Sequence, residues 1–257
     1  MGIALGIILT LFILPYIAGP LLLWFSGSRI PPTQVDEADP SMPLPQSAES
    51  HFWKTTHFFS ANGFDQMGAR VRESARNGLS GFKQLWRHPE SGEVALVGAF
   101  HKEDDPAFAN TFVAFMNDRG GALVTTSNFN AGARTLLDPR GTSRVTVPTQ
   151  DLHELRALHR GHVAVYGPNV ARPLRVKDCM TLCKQLDEAT RTVALSQKRF
   201  RVDGDSLRVT LWGAIFGIWI NLWPFKGKYE RREKIMLERV MAAGVASGVL
   251  TPGRRAA

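Results

Sequence analysis

The chain opens with a long apolar segment that carries no charged side chain. The run from Ile3 to Phe25 has about 23 residues, enough for one helix to cross a hydrocarbon core of roughly 30 Å. No basic residue precedes it, and it is longer than the apolar core of a cleavable secretory leader. We therefore expect a retained transmembrane anchor over residues 1–26, rather than a cleaved leader or a buried helix, with Trp24 at the lipid–water boundary.

A proline-rich segment follows this run. Residues 27–49 combine prolines, which fix φ and remove backbone donors, with acidic side chains, which keep the chain solvated. The residues concerned are Pro31, Pro32, Pro40, Pro43, Pro45, Asp36, Glu37, Asp39 and Glu49. We expect a semi-extended linker that holds a folded domain away from the membrane.

Residues 50–207 show the alternating patterns of a folded domain. Ser50–Phe59 has helical spacing, with Ser50 as a candidate N-cap and Phe52 and Phe59 facing inward. The pattern then changes to strands that flank turn-forming residues. The predicted strands are Phe82–Arg87 paired with Glu93–Phe100, Thr111–Met116 paired with Ala122–Thr126, and a short strand at Ser143–Val147.

Helical patterns return in the second half of the domain. Thr149 is a candidate cap for a helix that places Leu155 inward and ends near Gly161. A short strand is expected over His162–Tyr166, and a helix over Asp178–Arg199. Because tight hairpins favour antiparallel pairing, we expect the α+β class, with an antiparallel sheet of hairpins covered on one face by helices.

A second apolar segment, Val209–Phe225, is just long enough to cross a membrane. We expect an apolar helix over residues 208–226 that spans the bilayer or lies in its plane, with burial in the core as a third arrangement. Its tryptophans and the basic residues that follow favour the lipid–water interface: Trp212, Trp219, Trp223, Lys226, Lys228, Arg231 and Arg232. Gly213 and Gly217 form a small-residue face that could pack on another membrane protein.

The charge distribution narrows the choice of partners. Of the net charge of +8, from 31 Lys and Arg against 23 Asp and Glu, about +5 lies in Lys226 together with the basic amphipathic tail over residues 227–257. Residues 30–207, which include most of the linker with the domain, are nearly neutral, with 21 Lys and Arg against 20 Asp and Glu, whereas a nucleic-acid binder carries a basic stripe on its folded domain. We therefore expect no nucleic-acid binding, and a lipid bilayer as the partner of the basic tail.

From these features of the sequence we expect the protein to lie at the cell membrane. The general layout, with Arg favoured over Lys, is that of a bacterial inner-membrane protein. The side that the domain faces depends on whether residues 209–225 span the bilayer, which the sequence leaves open.

Few residues point to chemistry. The 2 cysteines, Cys179 and Cys183, share one face of a predicted helix and are expected to be buried core thiols, because zinc and disulfide frameworks need more ligands. No glycine-rich phosphate loop and no serine nucleophile elbow is present in the sequence. We expect no cofactor and no bound metal.

The histidines are the remaining candidates for catalysis. His159 and His162 are three residues apart and could face one partner if their helix extended far enough. His101, Glu103 and Asp105 could complete a His/carboxylate site only if their loop folded against that helix; the alternative is a charged loop tip.

The preferred hypothesis from the sequence is a membrane-anchored binding or scaffolding protein without catalysis of its own. The alternative is a membrane-anchored hydrolase that uses His159 or His162 with an acidic partner from the loop at 103–105. A further possibility is a helix-packing subunit that joins a larger membrane complex through Gly2 and Gly6 or Gly213 and Gly217.

Overall fold

The computed structural model describes residues 2–39, 43–74, 79–102, 109–119, 123–129, 142–166, 172–222 and 224–250. In chain order the elements are α1 (Gly2–Phe25), β1 (Arg29–Ile30), β2 (Gln34–Glu37), α2 (Gln46–Ala61), β3 (Asp65–Gln66), β4 (Val71–Ser74), β5 (Leu79–Arg87), β6 (Val94–Lys102), β7 (Ala109–Asp118), β8 (Leu123–Ser127), β9 (Ser143–Thr146), α3 (Leu152–Tyr166), α4 (Cys179–Ser196), β10 (Phe200–Asp203), β11 (Ser206–Val209), α5 (Leu211–Trp219) and α6 (Phe225–Ala246).

The described residues form two compact units. Unit 1 contains the described residues within 2–32 and 188–234, and unit 2 contains those within 33–187 and 235–250. The structure thus places β1 and β2 inside the segment 27–49 that was expected to be a linker.

Unit 2 is built on a mixed sheet in the order β2–β4–β5–β6–β7–β8–β9, with β3 paired to β5. The predicted hairpins are confirmed, since β5 pairs antiparallel with β6 and β7 pairs antiparallel with β8. The expectation of a purely antiparallel sheet is wrong, because β9 joins β8 in parallel, with Ser143 opposite Val124. The α+β class itself is confirmed.

The β5–β6 turn depends on a glycine. Gly92 has a φ of +67°, the left-handed region that side chains avoid, and a Cβ there would lie 2.6 Å from Cβ of Pro173. The backbone N–H of His88 donates to the carbonyl of Glu93 at 2.8 Å, and the N–H of Gly92 donates to the carbonyl of His88 at 2.8 Å. This turn sets the register of the hairpin.

Helices cover both faces of the sheet, not one as predicted. The strand β6 is apolar at successive positions, so Ala95 and Val97 face one side while Val94 and Leu96 face the other. The first side packs against α2 and α3, and the second packs against the start of α4. Continuous apolar runs of this kind belong to strands that are buried on both faces.

The predicted core positions are largely confirmed. Phe52 and Phe59 of α2 are buried in the first cluster, whereas Trp53 is exposed. Cys179 and Cys183 are free, buried thiols in the second cluster. The helix α2 begins earlier than predicted, after Pro45 and not after Ser50.

The end of α3 was predicted wrongly. The helix continues through Gly161 to Tyr166, so no strand exists over His162–Tyr166. Gly161 is needed for close packing and does not terminate the helix, because a Cβ at this position would lie 2.7 Å from the carbonyl oxygen of Val240 in α6. The helix is capped by Asp151, whose Oδ1 accepts from the backbone N–H of His153 at 2.9 Å, and not by Thr149.

Unit 1 combines a small antiparallel sheet with two packed helices. The sheet order is β1–β11–β10. The helices α1 and α5 pack on each other, and Nε1 of Trp219 donates to the carbonyl oxygen of Tyr16 at 2.8 Å. Gly19 allows this approach, since a Cβ there would lie 3.2 Å from Cγ2 of Ile218.

The predicted transmembrane anchor, and the cell-membrane localisation inferred from it, are not supported. Within the described part of the chain, no helix combines the length and the apolarity needed to cross a membrane.

The second apolar segment is likewise not one long helix. Only Leu211–Trp219 forms α5, which Thr210 caps by accepting from the N–H of Gly213 at 3.0 Å. At about 1.5 Å per residue this helix is far too short to span a bilayer. The chain turns after Ile220, and α6 starts at Phe225.

The close packing at Gly161 gives a testable prediction. We expect Gly161→Ala to destabilise the protein by about 1–3 kcal/mol, because the new methyl group would meet backbone atoms of α6, although alanine is the better helix former by about 1 kcal/mol. Gly227→Ala is the matched control, since a Cβ at Gly227 has nothing within 4 Å. Urea unfolding measures both, and an equal effect of the two substitutions would contradict the packing role.

Candidate functional site

The two histidines predicted as candidates meet inside unit 2. His159 and His162 lie on one face of α3, and both are fully buried, at 0% exposure. Asn117 of β7, Thr126 of β8 and Ser143 of β9 present polar side chains to this face. The site therefore joins one helix to three neighbouring strands.

Hydrogen bonds link these five side chains in one row. Nε2 of His159 lies 2.8 Å from Oδ1 of Asn117, and Nδ1 of His159 lies 3.2 Å from Oγ1 of Thr126. The same Thr126 oxygen lies 3.0 Å from Nδ1 of His162, whose Nε2 lies 2.9 Å from Oγ of Ser143. We call this row the buried histidine chain.

The donor and acceptor of each hydrogen bond can be assigned by starting from Asn117. Its Nδ2 donates to the carbonyl oxygen of Arg172 at 3.2 Å, so its Oδ1 is the atom that faces His159. A carbonyl oxygen only accepts, and Nε2 of His159 must therefore carry the proton. Burial lowers the pKa of His159 to about 3, helped by the neighbouring His162, so the ring is neutral and its Nδ1 holds a lone pair.

The remaining directions follow from this assignment. Thr126 has one hydroxyl proton, which it donates to Nδ1 of His159, so its oxygen must accept from Nδ1–H of His162. Burial lowers the pKa of His162 to about 4, so this ring is also neutral. Its Nε2 then holds a lone pair, and the Ser143 hydroxyl donates to it.

A cluster of ion pairs anchors another side of α3. Burial raises the pKa of Glu93, but hydrogen bonds from Arg160 and Arg156 outweigh this effect and lower it to about 2. Nη2 of Arg156 lies 2.5 Å from Oε2 of Glu93, and Nε of Arg160 lies 2.7 Å from Oε1. This pairing neutralises a carboxylate that is only 7% exposed, and it ties α3 to the start of β6.

On the opposite face of the sheet, Lys83 pairs with Glu73 below the two cysteines. Burial lowers the pKa of Lys83, but the negative charge of Glu73 outweighs this and raises it. A hydrogen bond between the thiols, with burial, raises the pKa of Cys179, so its proton is held. These contacts support the interpretation of Cys179 and Cys183 as core thiols.

The other sequence candidates do not join this site within the described residues. His101 lies at the end of β6 with its ring stacked on Phe82, the ring centres being 5.6 Å apart. Glu103 and Asp105 lie outside the described residues. Across the described ranges no group of three or more His, Cys, Asp or Glu is arranged to hold a metal ion.

The residues expected at a lipid interface lie in unit 1. Trp212 is 56% exposed and Trp219 is 36% exposed, while Trp24 is half-buried against Phe25. Trp223 lies outside the described residues. The basic positions Lys226, Lys228, Arg231 and Arg232 are exposed on α6. Gly213 packs within its own unit, since a Cβ there would lie 1.9 Å from the carbonyl oxygen of Arg199.

Three members of the buried histidine chain escaped the sequence analysis. Asn117 follows directly after the predicted strand Thr111–Met116, and Thr126 and Ser143 lie within the predicted strands Ala122–Thr126 and Ser143–Val147. Their common signal is a polar side chain at a strand position whose neighbours are buried, which indicates a polar partner across the core. Sequence spacing could not show that α3 supplies this partner.

Comparison with known proteins gives no assignment: no family model, no curated protein and no solved structure matches this chain.

The neutral histidines predict that the protein loses stability in mild acid. Each has an ordinary pKa of 6.5 when unfolded, against about 3 for folded His159 and about 4 for folded His162. Because the unfolded chain binds the additional protons, stability is complete above about pH 6.5 and falls as the pH decreases, by up to about 1.4 kcal/mol per pH unit for each histidine.

Urea unfolding between pH 7.5 and 5 measures this loss. In that window Glu93 contributes little to the change in stability. Its pKa is lowered to about 2, so it affects the free energy of unfolding only below its ordinary pKa of 4.5. His153→Gln is the control, because His153 is exposed and its removal should leave the slope unchanged. A stability that stays constant over this range would contradict the neutral, buried state of both rings.

Proposed function

We propose that the protein is a binding or scaffolding protein whose unit 1 docks onto a second copy of the chain through α1. The observation that carries this proposal is a stripe of exposed apolar side chains on α1, here called the α1 stripe. Its members are Leu14, Ile17, Leu21, Leu22 and Phe25, with exposures of 58%, 56%, 37%, 69% and 72%.

The spacing of the α1 stripe suits another helix. Leu14, Ile17, Leu21 and Phe25 follow one another at intervals of three and four residues, which is the repeat that places side chains along one side of a helix. The opposite side of α1 is occupied, since Gly19 and Tyr16 contact α5. A second helix with the same repeat would insert its side chains between those of the stripe.

The apolar surface extends from α1 onto its neighbours in unit 1. Trp219 contacts Tyr16 through its hydrogen bond, and Phe225 stacks on Trp219 with the ring centres 6.0 Å apart. Phe225 is 40% exposed. Contiguous exposed apolar surface of this kind marks an interaction site.

The absence of charge favours an identical partner. Residues 2–28 contain no Lys, Arg, Asp, Glu or His, so the α1 stripe has no flanking charges that would select a different helix. Two identical stripes are self-complementary about a two-fold axis, because each residue meets its counterpart or that residue's neighbour. A second copy is therefore the occupant that this surface fits.

Substitution within the α1 stripe tests the proposal. We expect the wild-type chain to sediment as a concentration-dependent dimer, and Ile17→Gln with Leu22→Gln to weaken the dimer at least tenfold, because burying each such side chain contributes about 1.5–3 kcal/mol. Trp53→Gln is the matched control, since Trp53 is 70% exposed but belongs to unit 2.

Sedimentation equilibrium of the full chain over a concentration series measures the association. Circular dichroism confirms that each variant folds. A wild-type monomer at all concentrations would overturn the proposal. An equal effect of the Trp53 control would also overturn it, because the association would then not depend on the α1 stripe.

A hydrolase with a His/carboxylate site has less support. The hydrogen-bond partners of His159 and His162 among the described residues are the neutral side chains of Asn117, Thr126 and Ser143. A carboxylate is thus not what orients these rings in the described part of the chain.

A further inference from the structure

Ser143 differs from the other members of the buried histidine chain in its position. It is the first residue of β9 and is half-buried, whereas His162 behind it is fully buried. The hydroxyl therefore lies at the boundary between the core and the surface. A nucleophile needs this placement, because it must be reached by a substrate while its base stays fixed.

We propose that Ser143 is a nucleophilic serine with His162 as its general base, and that the pair accepts acyl groups from activated esters or thioesters. The geometry that carries this is the 2.9 Å contact between Oγ of Ser143 and Nε2 of His162. Contacts of about 2.6–3.2 Å are those across which a base removes a proton.

The proton directions give His162 the tautomer that this role requires. Nδ1–H of His162 donates to Thr126, and Nε2 is left with the lone pair that faces Ser143. Thr126 acts as a positioning residue in the place where a serine hydrolase has a carboxylate. Its hydroxyl is itself oriented by His159, which Asn117 holds in one tautomer.

The orienting chain also responds to the charge that forms. When His162 takes the serine proton, its ring becomes cationic and its Nδ1–H bond to the Thr126 oxygen strengthens. Because the Thr126 proton points away, toward His159, the hydroxyl presents only its oxygen to the cation. Hydrogen bonds in series polarise one another in this way.

The reaction balances with water as the co-reactant. Oγ of Ser143 attacks the carbonyl carbon while its proton moves to Nε2 of His162. The bond from carbon to the leaving oxygen or sulfur then breaks, and the leaving group takes that proton, which leaves an acyl ester on Ser143. Water attacks this ester through His162, releasing a carboxylic acid and restoring the serine hydroxyl.

The environment of His162 selects the substrate class. Its pKa of about 4 keeps the ring unprotonated at neutral pH but makes it a weaker base than an ordinary histidine. A weak base activates the serine only slightly, so the acyl carbon must be reactive and its leaving group good. Thioesters and aryl esters meet this requirement, and peptide amides do not.

A fluorophosphonate probe, which labels nucleophilic serines, tests the proposal on the full chain. We expect peptide mass spectrometry to find the label on Ser143 in the wild type and to find none on that peptide in Ser143→Ala. Ser127→Ala is the matched control, because Ser127 lies on β8 but bonds the backbone of Phe129, so its removal should leave labelling of Ser143 unchanged.

Ester hydrolysis by the wild type supplies a second measurement that requires no variant to fold. With p-nitrophenyl acetate we expect a burst of one nitrophenol per chain, with a rate that stays level from pH 8 to about 6.5, the range in which His162 is neutral and the folded state keeps its full stability.

These outcomes distinguish a nucleophilic role of Ser143 from a role as a hydrogen-bond partner of His162 alone. Label on Ser143 with a burst that Ser143→Ala abolishes supports the proposal. A folded wild type without label on Ser143, or equal ester hydrolysis by folded wild type and Ser143→Ala, overturns it. Dimerisation through the α1 stripe does not enter either measurement.

Discussion

The fold of unit 2 depends on the need to satisfy two imidazole rings that water cannot reach. An unpaired polar group in this position costs about 1–3 kcal/mol, and each ring has two nitrogen atoms to satisfy. His159 and His162 meet this requirement only if α3 lies at one register over the three strands that carry Asn117, Thr126 and Ser143. The parallel strand β9 is included in this requirement, although residues 128–142 separate it from β8 in the sequence.

The same constraint links stability to chemistry. Once the carbonyl of Arg172 fixes the amide of Asn117, every proton in the row has one direction, and the row ends with a lone pair facing Ser143. The side chains that satisfy one another's hydrogen bonds in the core therefore also place an acceptor nitrogen next to the Ser143 hydroxyl. The cost is that burial lowers the pKa of both rings, which makes the core sensitive to acid.

The two units use apolar surface in opposite ways. Unit 2 buries both faces of its sheet, so that neighbouring residues of β6 such as Ala95 and Leu96 both lie in the core. Unit 1 leaves the α1 stripe exposed on a helix without charged side chains. Burial of apolar surface is the main favourable term in association as in folding, and the uncovered surface of unit 1 is therefore where a partner gains most.

The sequence by itself determined what depends on neighbours along the chain. Strand periodicity and the turn at Gly92 predicted the β5–β6 hairpin, and helical spacing predicted the buried faces that include Phe52 and Cys179. Tertiary structure decided what depends on distant residues: α6 makes Gly161 a packing contact instead of a helix end, and α3 brings His162 to Ser143. Local patterns record which side of an element is apolar, but not which element covers it, because that choice is made by packing between segments far apart in the chain.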